Sequence, residues 1–150
     1  MLGYMSMATY IDNRKAHFNY SVEETFEAGI ELTGFEVKSI KKGQGSITSA
    51  FCIIRGGEAF LVDAYIPPYQ ASNTPKSYDP YRTRKLLLKK EEVMELYNLE
   101  QSKTLTLHPN SLYSTHNLIK CEVAVCKKKD SKDKREDIKK DIARRELRSI

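Results

Sequence analysis

Polar and apolar positions alternate along much of this chain. Phe18, Tyr20 and Val22 alternate with His17, Asn19 and Ser21, and Ile30 and Leu32 alternate with Glu31 and Thr33. A period of two over His17–Leu32 predicts one long or bent, half-buried strand. Gly34 then permits a sharp change of direction. Beyond it Phe35, Val37 and Ile40 mix with Glu36, Lys38, Lys41 and Lys42. The spacing of Val37 and Ile40 predicts about two turns of helix, apolar on one side and basic on the other, with Gly43 as C-cap. A strand feeding a short basic helix and a Gly-rich loop suits two tasks, gripping phosphates or plugging one end of a small barrel, and the two are compatible.

The remaining elements follow from the same patterns. Ser46–Arg55 is strand-like, Gly56-Gly57 signals a tight hairpin, and Glu58–Ile66 returns as the partner strand until Pro67-Pro68 stops it. Tyr69–Tyr81 has no period and the composition of an exposed loop. Leu86-Leu87-Leu88 reads as a short buried run, and Lys89–Leu99 as the clearest helix. Thr104–Tyr113 and Leu118–Val125 read as two closing strands joined by a polar turn at Ser114–Asn117. Met1–Asp12 shows little pattern and reads as a flexible extension, with Met5 and Met7 leaving the start codon open. Strands interrupted by two or three short helices predict a mainly β fold, a small antiparallel barrel with helices at its ends.

Charge sharpens the picture. The chain has 150 residues, 40% hydrophobic and 30% charged, with a net charge of +5. One domain with a real core is the default at this length. Lys127–Ile150 holds 11 basic and 6 acidic residues, so the whole excess sits there and the preceding part is neutral. This basic tail is too polar to fold alone, although Ile138, Ile142 and Leu147 lie near one helical side. It reads as coil in solution and helix on a partner. Cys52, Cys121 and Cys126 show no metal spacing and read as buried thiols of a reducing compartment. Met1–Asp12 is unlike a secretory signal, and no apolar run approaches membrane-spanning length. These features predict a cytoplasmic protein without a membrane partner.

Candidate chemistry is mostly absent. His17, His108 and His116 lie on different segments, and no nucleophile-elbow, zincin or P-loop motif occurs, so no catalytic residue, metal or cofactor is assigned. Basic residues interleaved with aromatics fit RNA better. Asn13-Arg14-Lys15, the helix lysines Lys38, Lys41 and Lys42, and Arg82, Arg84 and Lys85 supply cations, while Tyr69, Tyr78 and Tyr81 lie in or beside the exposed loop. Those tyrosines suit stacking or packing over the barrel rim equally, and Arg82 with Arg84 suits RNA contact or a salt-bridge pair.

The run EAGIELTGFEVKSIKKG, with Asn13-Arg14-Lys15-Ala16 before it and DPYRTRKLLL after it, resembles the SsrA-binding protein family, small protein B. The resemblance covers about Asn13 to Arg135. It implies an OB-type barrel over 13–126 that binds the tRNA-like domain of transfer-messenger RNA and delivers it to ribosomes stalled without a stop codon. By the family's motifs the RNA surface comprises Asn13, Arg14, Glu27, Lys38, Ser39, Lys41 and Gly43. Glu27 would accept a hydrogen bond from a base amino or 2′-OH group, or orient a neighbouring Arg or Lys. Leu87 reads as packing that supports this site. The tail, 127–150, would enter the empty messenger channel near the small-subunit decoding centre and fold as a helix. There Lys127, Lys128, Lys129, Lys132, Asp133, Lys134, Arg135, Lys139, Lys140, Arg144 and Arg145 would meet the ribosome. The free protein is expected to be monomeric. Departures from the family pattern are Phe18 with His17 one place early, Gln44 in place of a basic residue, Lys128-Lys129-Asp130 in the tail run, and Lys132 before Asp133-Lys134-Arg135. The rivals are a generic OB-fold RNA binder and a small hydrolase or nuclease using the histidines.

Overall fold

The structure, a computed structural model, describes residues 8–13 and 20–128 together with Arg135, Lys139 and Ile142. Its strands are β1 (Ala8–Asp12), β2 (Tyr20–Ile30), β3 (Phe51–Arg55), β4 (Glu58–Val62), β5 (Arg84–Leu87), β6 (Leu105–Thr115) and β7 (Leu118–Lys128). The helices are α1 (Gly34–Lys41) and α2 (Lys90–Glu100), with a 3-10 turn at Ala71–Asn73 inside the exposed loop. All seven strands pair antiparallel in the order β1-β6-β7-β2-β5-β4-β3.

Local chemistry explains the turns. Gly56 and Gly57 have φ of 60° and 76°, the left-handed pair that matches strand twist in a two-residue hairpin. The β6–β7 turn does the same with His116 and Asn117, at φ 50° and 66°. Glu23 falls at a register shift in the β2–β7 ladder between Val22 and Glu24, which gives β2 its bend. One core lies beneath the sheet: α1 contributes Ile40, α2 contributes Val93 and Leu96, and the strands contribute Ala28, Leu61, Leu112, Cys121 and Val123. The three thiols are free and buried in or against it.

Four sequence expectations change. Ala8–Asp12 is a strand rather than a flexible extension: it pairs along β6 and buries Ile11, a tertiary contact that one inward apolar residue does not announce. Of Ser46–Arg55, only 51–55 lies in a strand. Ser46 makes an isolated bridge with Tyr65, and Ile47 turns inward. In the triple-leucine run, Leu86 is buried but Leu87 is 48% exposed, as alternation along β5 requires. The hydrogen-bonded ladder also stays open, ending at β1 on one side and β3 on the other, so the described strands form an antiparallel sheet and not a closed ring.

Candidate nucleic-acid interface

Helix α1 is short, and beside the buried Ile40 it is held to the rest of the fold by a buried carboxylate. Glu36 sits in its first turn with no solvent exposure. Its Oε1 accepts from the Thr33 N–H at 2.9 Å, half of a capping box, and from Arg82 Nη2 at 2.5 Å. Oε2 accepts from Arg82 Nε at 3.0 Å and Arg84 Nε at 2.8 Å, and the Tyr78 hydroxyl lies 2.9 Å away. Burial pushes the Glu36 carboxyl up, but the bonds from Arg82, Thr33 and Arg84 overcome it and hold the group at about 2. Burial and the neighbouring Glu36 push the Tyr78 hydroxyl up to about 12.

Arg84 is fully buried, and each of its five N–H donors has an acceptor. Nε reaches Glu36, Nη1 donates to the Ala64 and Arg82 carbonyls, and Nη2 donates to Tyr78 Oη and the Pro80 carbonyl. The expectation of an RNA contact is therefore corrected for Arg84, which is an internal strut. Arg82 forms the bidentate pair with Glu36 while a third of its side chain stays exposed. Ser39 is likewise buried, donating to the Pro67 carbonyl at 2.7 Å, so it anchors α1 and presents nothing outward. Asn13 is buried as well, its Nδ2 donating to the Pro109 carbonyl on β6.

With these anchors α1 presents Lys38, Lys41 and Lys42 to solvent. The helix ends as expected: Gly43 has φ 73°, its N–H reaches the Ile40 carbonyl at 2.8 Å, and the Gln44 N–H reaches the Ser39 carbonyl at 3.0 Å. This is the Schellman arrangement. Lys38 Nζ stands 5.9 Å over the Tyr69 ring. Lys85 is on the surface opposite Glu58, 3.4 Å away.

The second part of the interface is the outer sheet face. Register puts Asp12, Ser111, Glu122 and Glu27 in one row across β1, β6, β7 and β2. Glu27 is exposed, and among the described residues its hydrogen-bond partner is the Tyr113 hydroxyl at 2.8 Å. One sequence expectation is that Glu27 orients a neighbouring Arg or Lys; among the described residues the side chain held against it is instead that of Tyr113, which sequence reasoning missed. Burial and Glu27 both raise the Tyr113 hydroxyl. Glu122 accepts from Asn110 Nδ2 at 2.6 Å. The next row brings Tyr113, Lys120, Gly29 and Leu87 to the same face. Leu87 thus lies on the exposed side with Glu27, which corrects its reading as internal packing.

A family model described as SmpB protein matches residues 10–150. The chain belongs to the SmpB family. It is 47% identical over 137 residues to the SsrA-binding protein of Mesoplasma florum, covering 91% of this chain and 92% of that one. With the SsrA-binding protein of Rubrobacter xylanophilus it shares 43% over 142 residues, 94% of this chain and 93% of the other. A solved chain described as "tmRNA-SmpB: a journey to the center of the bacterial ribosome" is similar with a TM-score of 0.68 and 37% identity, over 81% of this chain and 85% of that one.

The other SmpB-family positions divide plainly. Arg14, Lys15 and His17 lie outside the described residues, as do Lys129, Lys132, Asp133, Lys134, Lys140, Arg144 and Arg145. Lys127 and Lys128 are exposed at the end of β7. Arg135, Lys139 and Ile142 are helical and exposed, where the sequence predicts coil for the free chain. Residue 14 follows Asn13 and the tail follows Lys128, which pairs with Tyr20. The segment joining β1 to β2 and the root of the tail therefore meet the sheet at neighbouring strands. His108 packs at 4.6 Å on the Tyr20 ring, and its nitrogens face the Ala50 carbonyl and Thr106. His116 is in the β6–β7 turn, so these two histidines do not converge. Among the described residues no group of three or more His, Cys, Asp or Glu is placed to hold a metal ion, and no helix is long and apolar enough to cross a membrane.

Proposed function

We propose that this protein binds the tRNA-like domain of transfer-messenger RNA and delivers it to stalled ribosomes, as an RNA-binding protein of trans-translation and not an enzyme. Membership of the SmpB family across residues 10–150 carries the reading. The interface geometry supports it: a basic helix locked to the sheet beside a polar face that displays Glu27, Lys120 and an exposed Leu87. Phosphates meet Lys38, Lys41 and Lys42 with Arg14 and Lys15. Arg82 and Lys85 add charge at the margin, and Gly43 lets RNA approach the backbone. Glu27 accepts from a base amino group or a 2′-OH, aimed by Tyr113. Asn13, Ser39 and Arg84 hold this surface in place.

The fold reading that accompanies this function is an OB-type barrel. The single contiguous core and the approach of His108 on β6 to the Ala50 carbonyl just before β3 both support it. The tail, continuing from β7, lies as a basic helix in the messenger channel with Lys127–Lys129, Lys134, Arg135, Lys139, Lys140, Arg144 and Arg145 toward ribosomal RNA. The protein works in the cytoplasm.

The test is a titration at two salt concentrations comparing the tRNA-like domain with an elongator tRNA. We expect preference for the first, steep loss of affinity with salt, and weakening by Glu27→Ala and Lys38→Ala. A companion deletion of residues 132–150 leaves RNA binding intact and abolishes tagging on stalled ribosomes. Equal binding to both RNAs, unmoved by these substitutions, refutes the interface and leaves a generic RNA binder.

A further inference from the structure

A cleft of about 230 Å³ opens beside the basic face of α1. One wall is helical, from Gly34, Phe35 and Lys38, and the other is the loop wall of Tyr69, Gln70, Asn73 and Thr74. The cleft is smaller than the roughly 300–1,000 Å³ of sites that bury drug-sized ligands, so it has room for one ring system and not for a helix or strand.

Both walls are held. The loop folds on itself: Asn73 Nδ2 donates to Gln70 Oε1 at 2.7 Å, and the Thr74 hydroxyl donates to the Gln70 carbonyl at 2.8 Å. Phe35 meets Tyr78 edge to face at 4.7 Å, and Tyr78 is itself fixed against Glu36 and Arg84. Ser39 ties the helix to Pro67, two residues before Tyr69. A cleft whose walls are tied to the core costs little ordering when it is filled.

Its chemistry is specific in kind. Tyr69 is only partly buried and supplies an aromatic face, with Lys38 Nζ 5.9 Å from its ring centre. The bond from Asn73 Nδ2 to Gln70 Oε1 leaves Gln70 Nε2 as a donor and Asn73 Oδ1 as an acceptor on the two residues that line this wall. An aromatic ring, a donor–acceptor pair and an ammonium group match a base, its edge and its phosphate.

We propose that this cleft takes a single unstacked nucleotide of the bound RNA, the base stacking on Tyr69 and its phosphate meeting Lys38. The inference rests on the RNA-binding function above and adds a base subsite to it. An extruded base explains why an aromatic loop faces a basic helix here, whereas a plain phosphate track needs the lysines alone.

The experiment titrates the full-length protein with the tRNA-like domain of transfer-messenger RNA over a range of salt, using Tyr69→Ala, Tyr69→Phe and Lys38→Ala. Tyr69→Ala should weaken binding by roughly tenfold or more, the worth of one stacked base, without changing the salt slope. Tyr69→Phe should restore the affinity. Lys38→Ala should lower the slope by about one counterion. In parallel, a 4-thiouridine-substituted domain should photocrosslink within 69–74 or 34–38. Binding by Tyr69→Ala within twofold of the wild type overturns the subsite, as does a Tyr69→Ala loss that lowers the salt slope as Lys38→Ala does, since the ring would then only position the lysine. Failure of the wild-type protein to prefer this RNA overturns the broader function instead, so the two failures are read from different proteins.

Discussion

Replacing Glu36 by Gln tests whether one carboxylate joins helix, loop and sheet. Glu36 and Arg84 have no exposed surface, so solvent screening reaches the Glu36 network only through the partly exposed Arg82. In the folded protein it titrates at about 2 against an ordinary 4.5. That gap corresponds to about 3 kcal/mol at roughly 1.4 kcal/mol per pH unit. The magnitude agrees with the roughly 3–5 kcal/mol lost when one partner of a buried ion pair is removed. In Glu36→Gln the Arg84 guanidinium stays buried without its counter-charge. We expect a fall of about 3 kcal/mol at pH 7, or about 10 °C in melting temperature for a chain of this size. The pH dependence has a definite sign. The folded protein keeps the carboxylate ionised above about pH 2, whereas the unfolded chain protonates it below about 4.5. Its stabilisation is therefore complete above 4.5 and is lost as the pH falls toward 2. Urea unfolding of wild type and variant should show a gap of about 3 kcal/mol at pH 7 that shrinks to about 1 kcal/mol at pH 2.5. The paired change Glu36→Leu with Arg84→Met, which removes both charges, should cost less than Glu36→Gln alone. A variant melting within about 2 °C of wild type at pH 7, or a gap that stays constant with pH, refutes the reasoning.

Gly45→Ala should destabilise by about 2 kcal/mol or more in urea unfolding, because the added Cβ would stand 2.7 Å from the Tyr65 carbonyl oxygen at φ +125°. Burial raises all three thiols, Cys121 to about 12 and Cys126 to about 11. Iodoacetamide at pH 8 should accordingly label none of them in the folded protein and all three in urea, as mass spectrometry would count. Tyr113→Phe removes the hydroxyl that, among the described residues, bonds Glu27. It should weaken binding to the tRNA-like domain about fivefold, the worth of about 1 kcal/mol, and leave the salt slope unchanged in the same titration.

Much of the fold was legible because local rules agree with the tertiary structure. The α1 boundaries, its Gly43 terminus, the Gly56-Gly57 hairpin and the two closing strands all follow from period and turn chemistry. β1 was not legible, since only Ile11 of its five residues is a buried apolar side chain, with Tyr10 partly buried beside it, and its strand character comes from the β6 edge. Leu87 was misread because three successive leucines look uniformly apolar, while a strand must turn the middle one outward. For the candidate site, the sequence indicates which charged residues reach solvent but not which polar ones are turned inward. Lys38, Lys41, Lys42 and Glu27 face outward as their motif places them. Arg84, Ser39 and Asn13 resemble surface donors in sequence, yet their partners include the distant Glu36 carboxylate and the distant carbonyls of Ala64, Pro67 and Pro109. Composition at Glu36 gave no sign that this one acidic residue is the hub. The signal available was the Thr33–Glu36 spacing of a capping box, with two arginines at Arg82 and Arg84 needing a counter-charge.

The open ladder also fixes where the chain leaves the sheet. Ala8 pairs with Ser114 near the β6–β7 turn, whereas Lys127 pairs with Leu105 at the opposite end of β6. The intervening strand is 11 residues long, so the two exits are on the order of 30 Å apart. A fluorophore at Ala8 is therefore on the order of 30 Å from the root of the tail at Lys127, a separation at which energy transfer between a short-range dye pair varies steeply with distance. Docking of the tail would register as a change in that transfer, which makes this architecture its own ruler for watching the protein engage a ribosome.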